Sequence, residues 1–151
     1  MAPDPRVARL DDLIALYNRR SQDLPDSLFS RNTQFVLNDI PFEARLGRSP
    51  TDPLVLMLAR GPAGYRFAAK AVQHAVPDGT LQRGELSARD EGADVVLTGQ
   101  AWLSGHLRGS GDAAEILIDV EVRYRGETAT HVAVTLAEAD LDRLRTARAA
   151  S

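Results

Sequence analysis

Two polar residues, Asn38 and Asp39, end an apolar stretch that contains Phe35, and Ile40 and Pro41 follow them directly. An amide and a carboxylate beside apolar side chains can supply the few polar groups of a small-molecule pocket. The same dipeptide is also typical of an Asx turn, in which the side chain bonds to backbone two residues further on. The residues alone leave both interpretations open.

Other residue types that could do chemistry are few. Trp102 shares a strand face with Gln100 and Ser104 and could line a ligand site, although a core or interface role is also typical of tryptophan. The chain has three histidines, which are His74, His106 and His131. They show no metal-ligand spacing, no GxSxG motif occurs, and cysteine is absent. We therefore predict neither a bound metal nor a cofactor.

The segment 58–75, LARGPAGYRFAAKAVQHA, combines glycines, a proline and basic residues in the manner of an anion site. Backbone N–H groups at a helix start could bind an anion together with Arg60 and Arg66. GPAG lacks the Gly-Lys-Ser/Thr ending of a P-loop, and Pro62 removes one N–H donor. Apolar residues at steps of three and four instead predict a helix over 62–76.

Helical periodicity, with Tyr17 in the apolar stripe, also predicts a first helix that starts at Asp4 and Pro5 and ends between Gln22 and Pro25. A closing helix is predicted after Thr135, where Thr135 and Glu138 have the spacing of a capping box. Residues 33–46 look extended and are interrupted by Pro41. The apolar run 53–59 is compatible with either a strand or a helix.

Four long alternating segments with short turns between them predict an antiparallel meander. They are residues 80–90, 93–107, 114–125 and 128–136. One face of this meander is apolar. The other face carries a mixed set of side chains, among them Trp102, Asp119, Glu121 and His131. Such a face is compatible with a homodimer interface or with a solvated surface.

The composition indicates a single α+β domain over residues 1–151. A net charge of −3 gives no field that favours nucleic acid, and no run is long and apolar enough to span a membrane. The lack of cysteine and of a signal sequence favours a cytoplasmic location. Arginine replaces lysine everywhere except at Lys70, which we attribute to a high-GC bacterial genome.

The order of these elements resembles the NTF2-like superfamily, whose members include steroid isomerases, SnoaL-type polyketide cyclases, small dehydratases and non-catalytic binding domains. The residues that carry the resemblance are LDDLIALYNRR at 10–20, FVLNDIP at 35–41, the hairpin at 75–105 and the hairpin at 120–136. The resemblance implies a cone in which a curved antiparallel sheet packs against helices. The segment from Glu43 to Gly61 is longer than that superfamily usually has.

The same resemblance implies a small-molecule-binding protein, and an isomerase, cyclase or dehydratase acting on an apolar substrate if it is an enzyme. Asp39 is then the position closest to the superfamily's strand-end acid and would act as a base or hydrogen-bond partner. Asn38, Tyr65 and Trp102 would shape the pocket. No second acid lies on the apolar face, so a non-enzymatic dimerisation or protein-interaction module is the alternative.

A hot-dog fold is the competing architecture, because residues 50–76 could form one long helix kinked at Gly61 and Pro62. The hot-dog proteins that this order resembles are acyl-thioester hydrolases and dehydratases. They would need an acid or a histidine on this helix or on the facing strand. Residues 54–76 contain no acid, so His74 would serve as the catalytic or ligand-binding group.

Overall fold

A computed structural model describes residues 5–21, 29–37, 40–41, 60–126 and 128–150 of the chain. The elements in chain order are α1 (Pro5–Asn18), β1 (Phe29–Leu37), β2 (Ile40–Pro41), α2 (Gly61–Ala75), β3 (Thr80–Glu91), β4 (Asp94–His106), β5 (Ala113–Arg125), β6 (Thr128–Thr135) and α3 (Glu138–Ala149). This confirms the predicted α+β class. Asn38, Asp39 and the run 53–59 lie outside the described residues.

The strands form one six-stranded sheet in the order β2-β1-β6-β5-β4-β3. The four strands from β3 to β6 pair as an antiparallel meander, as predicted from their alternation. Gly92 and Gly126 have φ angles of 65° and 64° in the turns before β4 and β6, a left-handed conformation that glycine adopts without strain. β1 pairs with β6 in parallel, which makes the sheet mixed.

The register of the meander separates an inward face from an outward face. Leu97 pairs with Val122, and Leu103 pairs with Ile116, and all four side chains are buried. Because successive side chains of a strand point to opposite faces, this register directs the apolar residues of both strands to one side. The core of the protein lies on this inward face.

The three helices that the structure describes all pack on the inward face. Leu16 and Tyr17 of α1, Ala69 and Ala75 of α2, and Leu141 and Ala147 of α3 are buried in the same cluster as the sheet residues. A hot-dog fold wraps its sheet around one long helix, so that alternative is wrong for an arrangement in which three helices share the face. None of the helices in the described ranges has the length and apolarity needed to cross a membrane.

The predicted capping box at the start of α3 is wrong. The helix begins at Glu138 with Ala137 as its N-cap residue, and no side chain caps it. Thr135 is instead the last residue of β6 and pairs with Asp119 in the sheet ladder. Strand pairing therefore determines the backbone of Thr135, and the local sequence pattern does not.

Candidate functional site

An apolar cavity with a volume of about 150 Å³ lies between α1 and the inward face of the sheet. We call it the α1 cavity. Its lining side chains come from α1, α2 and strands β3 to β6. They include Leu10, Leu13, Ile14 and Tyr17 from α1, Tyr65 from α2, and Leu81, Arg83, Leu86, Ala101, Ile118, Val120, Val132 and Val134 from the sheet.

A second cavity, of about 70 Å³, lies between the sheet, α2 and α3. We call it the α3 cavity. It is apolar as well, and its walls include Leu37, the last residue of β1. Ile118 and Val134 line both cavities, so these two side chains form the partition between them. A rotamer change at the partition could join the two volumes into one longer cavity.

Two of the residues that line the α1 cavity, Tyr17 and Tyr65, carry buried phenols. The side chains of Tyr17 and Tyr65 are 5% and 7% exposed, and burial raises the pKa of Tyr65 to about 12 and that of Tyr17 also well above its ordinary value. Both are therefore neutral at physiological pH and can donate a hydrogen bond. The hydroxyl of Tyr17 has no hydrogen-bond partner among the residues that the structure describes. An unsatisfied buried donor costs about 1–3 kcal/mol.

Arg83 is a charged residue at a position of β3 that faces the core. It pairs with Ala101, which lies in the cavity wall, and its guanidinium reaches Asp11 on α1. Two of its nitrogens contact the two carboxylate oxygens of Asp11, with Nη2 at 2.9 Å from Oδ2. The hydrogen bond from Arg83 holds the pKa of Asp11 below its ordinary value. Asp11 is therefore ionised at neutral pH, and the pair bridges α1 and β3 beside the cavity.

Other contacts fix α1 in place. The side-chain amide of Asn18 donates to the carbonyl of Leu81 at 3.0 Å and accepts from its N–H at 2.7 Å. Gln73 of α2 donates to the carbonyl of Tyr17 at 3.2 Å. These bonds hold the C-terminal end of α1 against both β3 and α2. The backbone of Tyr17 therefore has a defined position beside the cavity.

The structure brings one of the predicted ligand-binding residues to this cavity, which is Tyr65. Trp102 lies on the outward face of the sheet, where it pairs with Gln82 and Leu117, so its ring is on the opposite side from the cavity. His74 is exposed on α2, and its carbonyl accepts a 2.7 Å hydrogen bond from Arg108. The roles predicted for these residues remain predictions.

Sequence reasoning missed Tyr17 and Arg83 as site residues. The helical spacing of Tyr17 places it in the apolar stripe of the first helix, where a tyrosine also brings a hydroxyl into the core. Arg83 has a clearer signal, because it follows Leu81 by two residues and so occupies an inward position of the alternating pattern. A charge at such a position indicates a cavity rim or a buried ion pair.

An Asp–His pair lies at the far end of β4. The carboxylate of Asp78 accepts from the backbone N–H of His106 at 2.7 Å and lies 2.6 Å from its Nδ1. Both side chains are more than half exposed, and neither lines the two apolar cavities. This pair ties the turn after α2 to β4. No group of three or more His, Asp or Glu side chains suited to a metal ion occurs within the described ranges.

The outward face of the sheet has an apolar centre. Leu117 is 41% exposed and pairs with Trp102, whose ring packs over Gly84. Polar and charged residues surround this centre. Gln100 bonds to Asp119, Arg89 pairs with Glu121, and His131 lies opposite Arg123.

No family model matches the sequence, and no curated protein matches it. Solved structures do match the fold. A protein from Jannaschia sp. CCS1, provisionally assigned as a SnoaL-like polyketide cyclase, aligns with a TM-score of 0.65 at 11% identity over 97% of each chain. An NTF2-like protein of unknown function from Burkholderia pseudomallei K96243 aligns with a TM-score of 0.63 at 14% identity, over 95% of this chain and 99% of that one.

A further match is TerC, crystallised with polyporic acid, which aligns with a TM-score of 0.63 at 16% identity over 95% of this chain and 99% of that one. Each alignment spans nearly the whole of both chains, so the likeness concerns the complete architecture and not one hairpin. At sequence identities of 11–16%, the TM-scores show a shared fold and nothing further. The chain therefore has the NTF2-like fold, which it shares with SnoaL-like proteins.

Proposed function

We propose that the protein binds a small, largely apolar molecule in the α1 cavity and that this molecule accepts a hydrogen bond from Tyr17. The observation that carries the proposal is the buried phenol of Tyr17, a residue that lines an apolar cavity and whose hydroxyl has no hydrogen-bond partner in the described part of the chain. A ligand oxygen at this point would remove the cost of the unsatisfied donor. The crystallisation of TerC with polyporic acid supports small-molecule binding by this type of cone.

The size of the cavity limits the ligand. A volume of about 150 Å³ corresponds to one aromatic ring, since engineered cavities of about this size bind benzene. Pockets for drug-sized molecules are larger, about 300–1,000 Å³. A longer ligand would therefore have to displace the partition formed by Ile118 and Val134 and extend into the α3 cavity.

Filling the cavity tests the proposal. Ala101 lines the α1 cavity, and the change Ala101→Leu would occupy part of its volume. We expect the binding of acetophenone, a ketone with one ring, to weaken at least about tenfold, because overlap with a filled wall excludes the ring. Ligand-detected NMR titration measures this affinity.

The matched control for Ala101→Leu is Ala133→Leu. Ala133 is partly exposed on the outward face, opposite Glu121, so the same substitution there leaves the cavity unchanged. Acetophenone should bind to this variant as it does to the original protein. Failure of the original protein to bind acetophenone or any other one-ring compound would reject the proposal.

We extend the proposal to catalysis as an isomerase, cyclase or dehydratase, with Asp39 as the base. The residues described as lining the α1 cavity include two tyrosines, a glutamine and an arginine, and none of them carries a carboxylate or an imidazole. Proton abstraction beside a carbonyl would therefore need a group outside these walls. Asp39, with Asn38 beside it, follows Leu37 by two residues, and Leu37 lines the α3 cavity.

The Asp39 proposal predicts loss of proton transfer in Asp39→Asn. The original protein should accelerate deuterium exchange at the methyl group of acetophenone in D₂O, as followed by NMR. The variant should lose about 10²-fold or more of this acceleration, which is typical for removal of a general base. The affinity for acetophenone should change little. Equal exchange rates in both proteins would remove Asp39 from the mechanism.

A second candidate function is a homodimeric interaction module that uses the outward face of the sheet. The observation that favours it is the apolar centre of Trp102 and Leu117, within a ring of both positive and negative charges that includes Arg123, Asp119 and Glu121. A two-fold interface places each patch against its own copy, so a face that carries both signs can complement itself.

Leu117→Glu tests the dimer, because it places a charge at the centre of the proposed interface. We expect sedimentation velocity to show a dimer for the original protein and a monomer for this variant. Thr128→Glu, at the exposed first residue of β6, is the control and should stay dimeric. A monomeric original protein, or a dimer that Leu117→Glu leaves intact, would rule out this interface.

A further inference from the structure

We propose that the α1 cavity selects ligands that carry a carboxylate at one end, and that Arg83 is the residue that recognises it. In the unliganded protein the carboxylate of Asp11 occupies the place that the ligand's carboxylate would take. This inference rests on the proposed binding function, and it adds a charged end group to the ligand class.

Arg83 is positioned to bind a charged end group of a ligand in the α1 cavity. Among the described residues that line the α1 cavity, Arg83 is the one with a charged side chain. It lies on the inward face of β3 between Leu81 and Leu86, which also line the cavity. Its side chain is 28% exposed. The apolar stem therefore forms part of the wall, while the guanidinium lies at the rim.

The pair that Arg83 forms with Asp11 has the geometry that a ligand carboxylate would adopt. Two guanidinium nitrogens bind two carboxylate oxygens, which is the bidentate arrangement that arginine forms with any carboxylate. A third nitrogen, Nη1, donates to the carbonyl of Gly84 at 2.9 Å. That bond keeps the guanidinium oriented after Asp11 leaves. A ligand carboxylate would therefore meet a guanidinium that is already oriented to donate two hydrogen bonds.

The weakness of the existing pair makes the exchange feasible. Asp11 is 48% exposed, and ion pairs exposed to this degree contribute little to stability. The bonds between Asn18 and Leu81 hold α1 on β3 independently of Asp11. Asp11 can therefore turn into solvent without release of the helix. A ligand carboxylate attached to a ring would gain burial of the ring in the cavity, which Asp11 cannot provide.

A matched pair of probes tests the charge selection. Phenylacetate and phenylacetamide have the same ring and nearly the same shape, but only the first is charged at pH 7. We expect the original protein to bind phenylacetate about tenfold more tightly than phenylacetamide in NMR or calorimetric titrations. The carboxylate offers two anionic oxygens to the guanidinium, whereas the amide offers one neutral oxygen. Arg83→Gln should abolish this preference, because it should lower the affinity for phenylacetate much more than the affinity for phenylacetamide.

A second variant, Asp11→Asn, should change the affinity for phenylacetate in the direction opposite to Arg83→Gln. Asp11→Asn removes the competing carboxylate and leaves Arg83 in place, so phenylacetate should bind several-fold more tightly than to the original protein. The affinity for phenylacetamide should not change. This outcome cannot come from a loss of folding, and circular dichroism and thermal melting of both variants check that they remain folded.

The outcomes separate this inference from the function on which it rests. If acetophenone and phenylacetamide bind but phenylacetate has no advantage, or keeps its advantage in Arg83→Gln, the charge selection is wrong and the binding function stands. If none of the three probes binds, both proposals fail. A preference for phenylacetate that Arg83→Gln removes and Asp11→Asn increases would support the assignment.

Discussion

Replacement of Ile116 by alanine is expected to lower the free energy of unfolding by about 3 kcal/mol. Ile116 is 0% exposed at the inward face of β5 and pairs with Leu103, which is also fully buried. Removal of three carbon atoms there leaves a cavity, which the neighbouring strands cannot close because they are held by sheet hydrogen bonds on both sides. Urea denaturation followed by circular dichroism measures the change.

The control is Leu117→Ala at the next position of the same strand. Leu117 points to the outward face and is 41% exposed, so its truncation should cost less than about 1 kcal/mol in a sample diluted until it is monomeric. The two variants remove similar side chains and differ in the face that they occupy. Equal losses of stability in both would contradict the assignment of the inward and outward faces of β5.

Gly99→Ala is expected to lower the free energy of unfolding by about 2 kcal/mol, although it adds a single methyl group. A Cβ at this position would lie 2.6 Å from Cδ2 of Leu86 and 2.8 Å from the carbonyl oxygen of Glu85. The leucine can move, but the carbonyl belongs to the backbone of β3, where the strand register shifts between Arg83 and Leu86. The sheet itself must therefore adjust.

Gly84→Ala provides the matched control for Gly99→Ala. A Cβ at Gly84 would lie 3.2 Å from the ring of Trp102, which is a side chain that can yield by a few tenths of an ångström. The same substitution on the neighbouring strand should therefore change stability by well under half as much. Thermal melting of the two variants measures this difference. A larger loss of stability in Gly84→Ala than in Gly99→Ala would contradict the geometry at the register shift between Arg83 and Leu86.

Much of the local structure follows from residue types and spacing. The four strands of the meander alternate apolar and polar residues and are separated by short turns, and each appears within about two residues of its predicted limits. The sequence predicts the helix that begins at Gly61 equally well, because Pro62 suits a first turn and the buried positions recur at helical spacing. Short-range rules suffice for these elements, since their causes lie within a few residues.

The tertiary structure decided the features that depend on distant contacts. The parallel pairing of β1 with β6 joins residues about a hundred positions apart, and the sequence of neither strand specifies its partner. The same holds for Thr135, whose local pattern indicates a helix cap and whose pairing with Asp119 makes it the end of a strand.

The candidate site depends on the tertiary structure in the same way. Tyr17, Tyr65 and Arg83 come from three elements, and none of them belongs to a motif. Taken by itself, the sequence determined an α+β chain with one apolar sheet face and helices to cover it. Only the packing of α1 over the inward face of the sheet decided that this covering leaves a cavity and that Arg83 meets Asp11 at the rim of the cavity. The same packing buries the hydroxyl of Tyr17 where no other described residue bonds to it. Alternation and periodicity specify which face of an element is buried, but the volume left between two buried faces depends on how their side chains meet.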